Sequence, residues 1–179
     1  MKILIRLFLV LLIACLGMGI GTSCSEDNDC SLAGRAMMNC TFYSINPETK
    51  AVLKDTLDSL TVTAFGTDSI ILNNQKKVHT LQLPLRYTSD STVFILHYDY
   101  KRRPTYVDTL YVVQKNTPYF QSMECGYTMK QLIQKTTYGN GVIKGKTRID
   151  SLHILNNNAN TNGTQNLEIF YQYRDRTIG

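Results

Sequence analysis

The sequence predicts an all-β fold: an antiparallel β-sandwich, immunoglobulin-like or related, with a β-barrel as the alternative. Three observations point there. Short runs rich in β-branched and aromatic residues follow one another from Asn39 to Tyr173. Clusters of Asn, Asp, Gly, Ser and Pro separate them at short intervals. Several runs alternate apolar with polar residues, the period of a strand with one buried face.

Taken in order, the strand-like runs are NCTFYSI (39–45), DSLTVTAF (58–65), SIIL (69–72), VHTLQLPL (78–85), STVFILHYDY (91–100), TYVDTLYVV (105–113), PYFQSMEC (118–125), RIDSLHIL (148–155) and NLEIFYQY (166–173). Leu60, Val62 and Ala64 share one face, as do Leu110 and Val112, and Leu167, Ile169, Tyr171 and Tyr173. The turns fall at NPETK, FGTD, NNQKK, SDS, KRRP, KNTP, YGNG and NNNANTNG. One segment departs from the pattern. In TMKQLIQK (128–135), Met129, Leu132 and Ile133 fall at helical spacing behind the capping candidate Thr128, which predicts a short helix. No linker rich in Pro, Gly or Ser interrupts the series, so one domain is expected over 37–179.

Ahead of that domain the chain reads as a leader and a tether. Lys2 and Arg6 precede an apolar core from Leu7 to Ile13 and then small residues, the order of a secretory signal peptide over 1–23. That core is short of the roughly 20 apolar residues a span needs; counting Ile3 to Ile20 as one span gives the alternative, an N-terminal membrane anchor. Two cysteines compete for the end of a lipoprotein signal. LIAC, ending at Cys15, is the better local lipobox. GTSC, ending at Cys24, is followed by Ser25, Glu26, Asp27, Asn28 and Asp29. This acidic run resembles the lipoprotein export signal of Bacteroidetes, which implies acylation at Cys24 and the outer face of the outer membrane. The alternative treats the acids as a solvated tether of a periplasm-facing lipoprotein. On this reading 24–36 is an acidic tether, and the contact with the membrane runs through the N-terminal lipid.

Charge and cysteines narrow the classes further. Removing the leader takes Lys2 and Arg6 from the 19 basic residues and none of the 14 acidic ones, and the small remaining excess argues against nucleic acid. The one dense basic run, YKRRP (100–104), falls between two strands and reads as a hairpin tip. Export permits disulfides. Of Cys30, Cys40 and Cys125, Cys40 is in phase with Met38 and Phe42 and reads as a core thiol, so the expected bridge is Cys30–Cys125, against the alternative of three free thiols.

A tripeptide recurs: Asp, then Ser or Thr, then an apolar residue or Thr. It places a hydroxyl at Thr56, Ser59, Ser69, Ser91, Thr109 and Ser151. Turn chemistry followed by a strand start explains it structurally. It also resembles the O-glycosylation motif of exported Bacteroidetes proteins.

Together, the lipoprotein start, TFYS, DSLTVTAFGTDS, LPLRYTSDSTVF, DTLYV, ECGY and IDSLHI are similar to a family of uncharacterised Bacteroidetes lipoproteins, a domain of unknown function. The resemblance covers most of residues 30–173. It implies a β-rich lipoprotein, with a neighbouring outer-membrane protein as partner, and it transfers no active site.

No enzyme signature appears. His79, His97 and His153 each lie in a predicted strand among apolar neighbours, there is no GxSxG and no glycine-rich phosphate loop, and no carboxylate pair stands out. No CxxC or HxxxH spacing suggests a metal. The expectation is a non-enzymatic envelope lipoprotein with no cofactor, an accessory or interaction module at the outer membrane. The alternative is a surface glycan-binding module, for which tyrosines and the loop NNNANTNG would supply contacts.

Overall fold

The computed structural model describes residues 35–46, 48–67, 69–98, 106–123, 125–139 and 147–172. The leader, Cys24, the acidic run and Cys30 lie outside the described residues, as does the YKRRP tip. Everything regular that is described is strand: β1 (Met37–Ile45), β2 (Val52–Lys54), β3 (Leu60–Ala64), β4 (Ile70–Gln75), β5 (Thr80–Pro84), β6 (Ser91–Tyr98), β7 (Val107–Ser122), β8 (Gly126–Gly139), β9 (Ile149–Ile154) and β10 (Leu167–Gln172).

These form two sheets. One runs β2-β1-β10-β9, with β5 also pairing with β1; the other runs β4-β3-β6-β7-β8. All pairings are antiparallel except β1 with β10, where Cys40 lies opposite Leu167 and Ile45 opposite Gln172. The sandwich is therefore mixed. A parallel neighbour cannot be joined by a tight turn, and here the whole intervening chain separates the two strands.

Alternation explains the packing. Met38, Cys40 and Phe42 of β1 and Leu167, Ile169 and Tyr171 of β10 face inward from one sheet. Leu60 and Val62, Phe94, Leu96 and Tyr98, and Leu110 and Val112 face them from the other, all in one buried cluster. Burying an apolar side chain of this size stabilises by about 1.5–3 kcal/mol, so this shared core holds the sheets together.

Two expectations are corrected. TMKQLIQK is not a helix: it is the first part of β8, paired along its length with β7. Ile133 faces the core, whereas Leu132, on the other face, is bridged to Asn158 of a neighbouring loop. Apolar residues serving both faces of one strand imitate helical spacing. Second, Cys125 does not end a strand; it lies in the turn between β7 and β8. Gly126 follows at φ 66°, a left-handed conformation that glycine adopts without steric cost.

Candidate functional site

Side chains with chemical potential gather at three places. The first lies between the sheets, at the end where β6 leaves and β7 enters. Tyr98 of β6 and Tyr171 of β10 meet hydroxyl to hydroxyl at 3.0 Å, with their rings edge to face and centroids 5.8 Å apart. Asp108 of β7 accepts from the backbone amides of Arg148 (2.9 Å) and Ile149 (3.1 Å) through Oδ2 and so pins the start of β9. The Arg148 guanidinium lies 5.1 Å from the Tyr98 ring centre. Burial pushes both phenols well above their usual range. It also raises the Asp108 carboxyl, against the opposing pull of the Arg148 amide, the Tyr98 hydroxyl, the Ile149 amide and the Arg148 charge. Asp108 is 0% exposed, Tyr98 1% and Tyr171 4%. The cluster therefore works as a buried inter-sheet latch.

The second place is the asparagine-rich loop after β9. Asn160 exchanges backbone bonds with Met37, both at 3.0 Å, while Ile133 donates to Asn157 and Ala159 donates to Gln131. One loop thus clasps β1 of one sheet and β8 of the other. Two of its asparagine side chains are spent inside. Asn166 Nδ2 donates to the carbonyls of Asn156 (2.8 Å) and Asn158 (2.6 Å), and its Oδ1 accepts from the Asn39 amide (2.9 Å). Asn160 Nδ2 donates to Thr164 (2.9 Å), and its Oδ1 accepts from Asn39 (3.0 Å). The loop's role as an edge cover for β8 is not legible in the sequence, because turn chemistry and clasp chemistry use the same residues.

The third place is the β7–β8 hairpin. β6 pairs with β7 only as far as Val113. Beyond it β7 and β8 continue as a two-stranded arm through Ser122 and Gly126. A ladder of amides grips the arm's root. Gln114 Nε2 donates to Thr92 Oγ1 (2.9 Å) and to the carbonyls of Ser89 (3.0 Å) and Arg86 (3.1 Å). Asn116 Nδ2 donates to Ser89 (2.7 Å), and Gln131 Nε2 to Asn116 Oδ1 (3.0 Å). Past this root the arm is exposed. Phe120 and Tyr127 face each other across it, centroids 5.6 Å apart, and Tyr119 and Met123 are exposed beside them. No sequence signal marks this protrusion. Turn chemistry at KNTP divides the segment into two strands, 105–113 and 118–125, whereas β7 runs through it unbroken.

The remaining candidates distribute as follows. Cys40 is a free, buried thiol, pushed far above its usual range by burial. Cys125 is not a free thiol, and the expected partner Cys30 lies outside the described residues. His79 lies just before β5 with Nδ1 2.7 Å from the Asp55 carbonyl oxygen. His153 pairs with Glu168 across β9 and β10 at 2.9 Å. Among the tripeptide hydroxyls, Ser69 and Ser91 are exposed, whereas Thr56, Ser59 and Ser151 are half-buried. Ser59 donates to Asn74 Oδ1. Thr109 is 0% exposed, so the folded chain cannot present it for modification. Among the described residues no group of His, Cys, Asp or Glu is placed to hold a metal.

These features define a two-sheet sandwich with the Tyr98–Tyr171–Asp108 cluster and the Cys40 thiol turned inward and one arm turned outward. The chain belongs to a family of unknown function (DUF6452), whose model matches residues 59–171. No curated protein and no solved structure matches it. The matched region begins after β2, although β1 is the strand that joins β10, β5 and β2 into one sheet.

Proposed function

We propose that the chain is an envelope lipoprotein of the Bacteroidetes type, acylated at Cys24, and that it acts as an accessory module by contact with another outer-membrane component. One observation supports contact over catalysis. The largest cluster of hydroxyl and carboxyl groups described, Tyr98, Asp108 and Tyr171, and the Cys40 thiol are sealed in the core, and the partners of that cluster are structural. The glycan-binding alternative draws less support, because two of the asparagine amides of this region, those of Asn160 and Asn166, are spent on the clasp.

Ser25, Glu26, Asp27 and Asp29 have the chemistry of an export signal read at the cell surface, and acyl chains contribute about 0.8 kcal/mol per buried methylene to anchoring. The bridge Cys30–Cys125 belongs to the same reading and would pin the tether to the arm. Ser69 and Ser91 are the tripeptide positions most open to a glycan.

Metabolic labelling with a fatty acid tests the anchor. Cys24→Ala should abolish the label and Cys15→Ala should keep it; the reverse result moves the anchor to Cys15. Protease added to whole cells tests the side: alanine at Glu26, Asp27 and Asp29 should protect a protein that is otherwise cut. Crosslinking in intact envelopes followed by purification of the acylated chain should recover one stoichiometric outer-membrane protein.

A further inference from the structure

We infer that the tip of the β7–β8 arm is a lipid-contacting element that seats in the headgroup layer of the membrane to which the chain is anchored. The tip carries the two most exposed large apolar side chains among the described residues, Met123 at 87% and Tyr127 at 77%, with Phe120 at 51% and Tyr119 at 47% beside them. They do not form a one-sided patch. Phe120 and Tyr127 pair across one face of the ribbon, Tyr119 belongs to the other face and is registered with Thr128, and Met123 lies in the turn. A protein partner or a second copy docking on a flat ribbon covers one face; a fluid interface surrounds both. The residue types also match. Tyrosine and phenylalanine settle at the boundary between headgroups and acyl chains, and basic residues just behind them meet anionic headgroups. Lys115 and Lys130 stand exposed on the arm behind the aromatic end, while Glu124 is the single acid in the sequence from Lys115 to Lys135.

The path of the chain argues for the same occupant, and this part rests on acylation at Cys24. Arg35, where the described chain begins, lies against the arm's root: its guanidinium sits 3.7 Å above the Tyr87 ring and donates to the Leu85 carbonyl. The carbonyl of that same Tyr87 accepts from Asn116 of β7. The tether therefore meets the sandwich at the end from which the arm projects. Cys24 to Arg35 spans at most about 36–40 Å of extended chain. From Asn116 to Ser122 the arm extends about 20 Å. A lipid at Cys24 is thus tethered long enough for the tip to reach the same bilayer, and the tip and lipid together fix how the sandwich stands. The opposite end, with β2, then faces away and remains open to a protein partner.

The chain has no tryptophan, so a single one reports its own surroundings. The acylated chain carrying Phe120→Trp is reconstituted into phosphatidylethanolamine–phosphatidylglycerol vesicles with brominated acyl chains, and Val52→Trp, at the far end, serves as control. Emission of the indole at position 120 should fall by about half or more relative to unbrominated vesicles, and that of the indole at position 52 should not change. Adding Tyr127→Ser and Met123→Ser should abolish the quenching without changing the unfolding midpoint. If the protein floats with the vesicles and the Phe120→Trp chain is unquenched, the inference is overturned while the anchor stands. If the protein does not float, the anchor reading has failed, and excess brominated vesicles added to the same chain decide the tip alone: quenching supports it, none overturns it. Shielding of the tip indole from aqueous acrylamide that grows with protein concentration, without lipid, would overturn the inference and assign the tip to a second copy instead.

Discussion

The inner and outer halves of the β7–β8 hairpin make an instructive pair. They belong to the same two strands, whose pairing runs on past a register shift at Val113/Gln114, and have similar β-forming composition. In the inner half, Asp108, Leu110, Val112 and Gln114 of β7 are all fully buried. In the outer half, from Lys115 to Gln121, only Asn116 is even half-buried. An isolated two-stranded ribbon is marginal in water. The outer half therefore depends on its root, where Gln114, Asn116 and Gln131 tie it to the 86–89 loop, and on whatever its tip touches. The difference teaches that pairing gives the arm its shape while packing gives the inner half its stability.

The most severe break in this contrast is Leu110→Ala, which should destabilise by about 2–5 kcal/mol, read as a lowered urea midpoint. A cost like that of a surface residue would mean that the inner half is not core. Gln114→Ala comes next, at about 1–3 kcal/mol, because two carbonyls and the Thr92 hydroxyl lose a buried donor. The cost should lie toward the lower end, since Gln114 Oε1 has no partner among the described residues and its desolvation is relieved. Hydrogen exchange of arm amides should accelerate in this variant before that of β6. Tyr171→Phe removes the bond to Tyr98 and should cost about 1 kcal/mol, with the far-ultraviolet spectrum unchanged.

A smaller effect is carried by pH. Burial lowers the pKa of His97, so the unfolded chain binds its proton more readily than the fold does. The stability this neutral ring contributes is complete above the unfolded value of about 6.5 and is lost as pH falls from there through the folded value. His97→Gln should flatten the midpoint-against-pH curve in that window; an unchanged slope would remove His97 as its source. The least expected effect is that of Phe120→Ala, within about 0.5 kcal/mol. If it matched Leu110→Ala, the two halves would not differ in kind.

Much of the fold is legible in the sequence because alternation is a local signal. Leu60 and Val62, Leu110 and Val112, and Leu167, Ile169 and Tyr171 fall on common faces by their spacing and are buried together, whereas Ala64, expected on the face of Leu60, is half-buried and Tyr173 lies outside the described residues. The phase of Cys40 with Met38 and Phe42 marks a core thiol, and all three are sealed. The three-residue strand β2 leaves no such mark, since its side chains are exposed and it pairs only with the end of β1. TMKQLIQK misleads because Leu132 is covered by a loop that lies more than twenty residues away in the chain. The tripeptide hydroxyls look alike in sequence, yet Thr109 is sealed and Ser69 is open, since burial depends on what the rest of the chain stacks on top.

By itself the sequence determined the all-β class, most strand positions and inward faces, and the expectation of a leader ending at an acylated cysteine. Side-chain alternation, turn residues and charge order are properties of neighbouring residues. The tertiary structure alone decided the parallel β1–β10 pair, the clasp by the asparagine-rich loop, the latch of Tyr98, Tyr171 and Asp108, and the length of the arm. Each of these joins residues far apart in the chain, and their identities do not encode how distant segments meet. Asparagine, tyrosine and aspartate are chemically ready for water, a ligand or one another, and only the packing of the sheets selects the partner.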